Sequence, residues 1–134
     1  MKSKQVLSVK QMKHLQELGL DTSDGSMCWC YALSYKNAKW ELEIYEDVIN
    51  QKRDSAFWEI IPTYTLQDIL DKLPCFIGTH VLTLQKLANS GTCLYMEPYS
   101  RSILNLTESK ELINSAYEML CWCIKNGYVE KEGK

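Results

Sequence analysis

Arginine is scarce in this chain. Arg53 and Arg101 are the only two among 15 basic residues, which face 17 acidic ones for a net charge of −2. A nucleic-acid-binding surface neutralises phosphates with clustered, often arginine-rich, positive charge, and no such cluster is visible. Nucleic acid is therefore not an expected partner. Long apolar runs are missing too. No window approaches the roughly 20 residues needed to cross a bilayer, so no membrane span is expected. The opening MKSKQVLSVKQMKHL lacks an apolar core of signal-peptide length. That points to a cytoplasmic protein whose six cysteines are reduced thiols rather than a disulfide framework.

The six glycines are scattered at turns and ends, so there is no Gly-rich phosphate loop, and no cofactor motif appears. Histidine is limited to His14 and His80, and no local motif ties either to a nucleophile. No catalytic or cofactor-binding residue is assigned. Glu41 and Glu43 share one strand face, the spacing of a carboxylate pair, but an alternating strand presents solvated carboxylates in the same way.

Cysteine is present in a suggestive pattern, Cys28-Trp29-Cys30 and Cys121-Trp122-Cys123. Four thiolates can bind zinc tetrahedrally. On a strand Cys28 and Cys30 point the same way. On a helix Cys121 and Cys123 lie about 200° apart and cannot chelate one ion. Zinc sites use Cys-x2–4-Cys spacing on turns, so no metal site is assigned and the thiols read as small buried hydrophobes.

The elements follow from periodicity. Ser8 with Gln11 forms a capping box ahead of Val9, Met12, Leu15 and Leu18, and Gly19 ends that helix. MCWCYAL (Met27–Leu33) reads as a strand covered on both faces, with Cys28, Cys30 and Ala32 offering small side chains to a helix. Trp40, Leu42 and Ile44 alternate with Glu41, Glu43 and Tyr45 as a half-exposed strand. Residues 46–56 read as a polar loop. Phe57–Ile61 is a third strand halted by Pro62, and Thr65 with Asp68 caps a short helix closed by Pro74. Strands follow at Val81–Leu87 and Thr92–Glu97, with a further piece near Ile103–Leu106. A last helix spans Thr107–Gly127, with Leu112, Ala116, Met119, Leu120 and Cys123 on its apolar side.

The resulting expectation is an α+β fold: one two-layer domain over residues 1–134, with a mainly antiparallel sheet of five or six strands and three helices in the order α-β-β-β-α-β-β-(β)-α. Tails at 1–6 and 130–134 are expected to fray. Four tryptophans and eight tyrosines are many for this length, and exposed ones would mark a contact surface. Trp122 falls with Glu118 on the polar side of the last helix. Trp122, Glu118 and Tyr45 are the candidate protein-contact residues.

Three stretches carry a likeness: SVKQMKHLQELGLDTSDGSMCW (Ser8–Trp29), IPTYTLQDILDKLP (Ile61–Pro74) and AYEMLCWCIKNGYV (Ala116–Val129). Together they resemble small uncharacterised proteins encoded in gut bacteria, often in phage-derived or mobile regions. The resemblance covers most of the chain and keeps the order of elements. It implies an accessory protein of a phage or mobile element acting inside the bacterial cell, and it carries no residue roles. The expected function is non-enzymatic binding of another protein. The alternatives are a small enzyme or ligand-binding domain with a site assembled from distant residues, and a homo-oligomer joined by a sheet edge or the last helix.

Overall fold

A computed structural model describes residues 4–131. The helices are α1 (Val9–Glu17), α2 (Tyr45–Gln51), α3 (Leu66–Lys72) and α4 (Leu112–Lys125). The strands are β1 (Met27–Ala32), β2 (Glu41–Ile44), β3 (Trp58–Thr63), β4 (Phe76–Ile77), β5 (His80–Lys86), β6 (Gly91–Met96) and β7 (Ile103–Ser109). The class is α+β with antiparallel pairing, as the short turns imply. The strands, however, form two sheets rather than one, in the orders β2-β1-β3 and β4-β5-β6-β7. The break falls at α3, where a capped helix and Pro74 separate β3 from the meander that follows.

Local chemistry sets the ends of the helices. Ser8 accepts from the Gln11 amide at 3.1 Å and donates its own amide to Gln11 Oε1 at 2.9 Å, satisfying orphan groups in both directions. Gly19 takes φ +96°, a conformation glycine reaches without Cβ strain, and so stops α1. Thr65 and Asp68 close the same reciprocal box on α3.

Three sequence-based boundaries are corrected. Residues 46–56 are not a loop throughout, because α2 occupies Tyr45–Gln51. One buried anchor, Val48, is too little to register as a 3.6 period, while Glu46 and Asp47 complement the helix N-terminus. The last helix starts at Leu112, because Thr107–Ser109 belong to β7 and Thr107 Oγ1 donates to the Ser115 carbonyl at 2.7 Å. Pro62 does not halt β3. It lies inside that strand, which is an edge, where its missing N–H removes no ladder bond.

The main core lies between α4 and one face of the four-stranded sheet, flanked by α1 and α3. Met12, Leu15, Ile69, Cys93, Tyr95, Met119, Leu120 and Ile124 are buried there. A second, small core of Cys28, Cys30 and Val48 sits between α2 and β1, with Tyr45, Trp58 and Ile60 packed around it. The row of small side chains on β1 is therefore covered by a helix, as its composition suggested, though by one the periodicity did not show. Of the tails expected to fray, residues 1–3 and 132–134 lie outside the described range. Within it, Val6 is buried and bridges to Thr65, and Lys4 Nζ bonds Gln11 and Asn114.

Candidate functional site

Two surfaces merit a chemical test. The first is a cleft of about 570 Å³ lined by Cys30, Ala32, Trp58, Glu41 and residues of the β1–β2 connection, including Lys36 and Lys39. Beside it, Cys28 and Cys30 place their Sγ atoms 3.6 Å apart. Burial pushes both thiols up from their ordinary range, and for Cys30 the neighbouring Cys28 thiol and Glu43 add to the shift. Such thiols stay protonated at neutral pH and are poor nucleophiles. Glu43 faces Cys30 but is held chiefly by Arg53. Both of its oxygens accept from Arg53 at 2.7 Å, and this holds its carboxyl below the usual range. Among the described residues no group of three His, Cys, Asp or Glu side chains is placed to hold a metal ion. The cleft lining contains no histidine.

The other buried cysteines are equally quiet. Cys93 and Cys123 lie in the main core, where burial pushes their thiols up to about 12 and about 11. A Cys93–His80 pair is ruled out by register. Cys93 pairs with Leu84, four residues along β5 from His80, or roughly 13 Å at strand rise.

The sequence-derived contact residues do not gather. Trp122 is half-buried, packed on the main core and stacked on Tyr128 with ring centres 5.4 Å apart. Glu118, one turn earlier, is exposed. Tyr45 is half-buried in the small core at the start of α2. The other tryptophans are also engaged within the chain: Trp29 Nε1 donates to the Leu7 carbonyl, Trp40 lies against Tyr31, and Trp58 lies under Arg53.

The second surface is the face of the four-stranded sheet that α4 does not cover. Register places Phe76, Val81, Met96 and Ile103 in one line across all four strands. Thr83, Leu94 and Leu106 form the next row, and Gln85, Thr92 and Glu108 the last. Their neighbours in sequence, Cys93, Tyr95, Leu82 and Ile77, point to the opposite, helix-covered side. Phe76 is 64% exposed, Ile103 49% and Leu106 46%, with Leu104 at the β7 bulge 39%. In the middle of the face Leu94 is 6% exposed and Thr92 4%. Across these three rows Glu108 alone carries a charge. This is a continuous apolar band, the kind of surface that marks a contact site.

One signal for this band was legible in the sequence. In β6, Leu94 and Met96 alternate with Cys93 and Tyr95, so both phases are apolar, while the helices are too few to cover both sheet faces. Which phase stays wet depends on where α4 docks, and periodicity does not give that.

No helix among the described residues is long and apolar enough to cross a membrane. Comparison of the chain with protein-family models, with curated proteins and with solved structures gave no match in any of the three.

Proposed function

We propose that this chain is a non-enzymatic protein-binding factor, acting inside a bacterial cell as an accessory of a phage or mobile element. Its contact surface is the open face of β4–β7. The cellular context rests on the resemblance described above. The binding reading rests on one observation: the apolar row from Phe76 to Ile103 crosses the whole sheet with no helix of the described residues over it. Near-absence of charge in these rows defines the partner as a protein with an apolar, uncharged contact face. Polyanions and acidic headgroups would find no cation there.

Photo-crosslinking tests this directly. A benzophenone side chain installed at position 76 should capture a defined protein adduct on irradiation. The same group in place of Tyr99, which is 96% exposed off the face, should not. Equal capture from both positions, or none from position 76, would remove the support for the face as the contact site.

A further inference from the structure

A second copy of the chain has the apolar, uncharged face that the proposed function calls for, and the row pattern is self-complementary. We infer that the occupant of the open β4–β7 face is that second copy, packed face to face about a two-fold axis parallel to the strands. The inference rests on the binding reading above and names its partner.

Register fixes which residues meet. A two-fold axis along the strands keeps each row in place and reverses the strand order, so β4 of one copy lies over β7 of the other and β5 over β6. The long row then packs on itself. Phe76 meets the second copy's Ile103, and Val81 meets its Met96, each pair being made twice. The most exposed ring therefore meets the most exposed aliphatic side chain of the row. Charge is consistent with the same arrangement. Because β4 has only two residues, Glu108 projects past the edge of the second copy's sheet and stays in water. Aligned sheet-on-sheet packing at about 10 Å is an ordinary mode of association.

The size of the patch sets the strength. Four strands at about 4.8 Å spacing and two apolar rows about 7 Å apart give roughly 250 Å² of face per copy, against roughly 800 Å² in a standard interface. The dimer is therefore weak and reversible, forming as concentration rises.

Sedimentation of the full chain from low micromolar to millimolar concentration tests the inference. The wild type should shift reversibly from monomer to dimer. Phe76→Lys and Ile103→Glu, each checked for wild-type circular dichroism, should each weaken self-association roughly ten- to a hundredfold. Mixing the two variants should restore a dimer, since Lys at 76 then faces Glu at 103 across the interface. Failure of two folded variants to complement each other would overturn the arrangement. A wild type that stays monomeric throughout, yet captures a different protein from position 76, would overturn self-pairing and leave the binding reading standing. Neither self-association nor capture would overturn both.

Discussion

Arg53 holds both carboxylate oxygens of Glu43 at 2.7 Å while its guanidinium carbon lies 4.5 Å from the centre of the Trp58 ring. This three-way contact ties the segment after α2 to β2 and β3 and closes the small core. One of the chain's two arginines is therefore a fastener. The planar fork serves both partners at once, which a lysine could not do.

Arg53→Met should destabilise the fold by about 1–2 kcal/mol in urea unfolding, combining a half-buried ion pair with a cation–π contact. The effect should depend on pH. Folding lowers the Glu43 pKa from 4.5, chiefly through the Arg53 hydrogen bonds. The stabilisation is therefore complete above pH 4.5 and is lost as pH falls through the depressed folded value. Wild type and Glu43→Gln should differ at neutral pH and converge in acid. A difference that does not change between neutral and strongly acidic pH would contradict the pairing.

Thr92 Oγ1 is a buried hydroxyl with no hydrogen-bond partner among the described residues. Valine has the same branched shape without the polar atom, so Thr92→Val should be neutral or stabilise by up to about 1 kcal/mol. A lower urea midpoint would show that the hydroxyl does have a partner.

Gly25 owes its identity to space. A Cβ there would lie 2.6 Å from the Thr63 carbonyl oxygen, which is backbone and cannot step aside. Gly25→Ala should cost about 1–3 kcal/mol as overpacking, separating the β1 entry from β3. Thermal unfolding within a degree of wild type would contradict this.

Thiol counting checks the burial of the cysteines. Cys75 is exposed, whereas Cys28, Cys30, Cys93, Cys121 and Cys123 are buried. Ellman's reagent should modify one thiol rapidly in the native protein and the rest only on unfolding. Cys75→Ser should abolish the fast phase. Fast native reaction at Cys28 or Cys30 would reopen the cleft as a chemical site.

Much of the architecture was legible in local patterns. The capping boxes at Ser8 and Thr65 and the β5–β6 hairpin all express chemistry within a few residues. What was hidden depends on distant contacts. The helix α2 is anchored by Val48, with Tyr45 beside it, against Cys28 and Cys30, and Arg53 finds Glu43 only once the sheet exists. On β2 the alternation was real, but its sense was reversed. Leu42 and Ile44 are exposed, while Glu43 is drawn under Arg53. The stacking of Tyr128 on Trp122 was hidden for the same reason, since the chain folds back only after α4 ends.

Occupation of the open β4–β7 face by a second copy has a direct spectroscopic consequence. An isotope-filtered nuclear Overhauser experiment on mixed labelled and unlabelled chains at millimolar concentration tests it most directly. The account predicts intermolecular cross-peaks between the Phe76 ring and the Ile103 methyl groups, and between Val81 and Met96. Intermolecular peaks arising from Tyr35 and Phe57 at the far end of the small sheet, with none from Phe76, would contradict it.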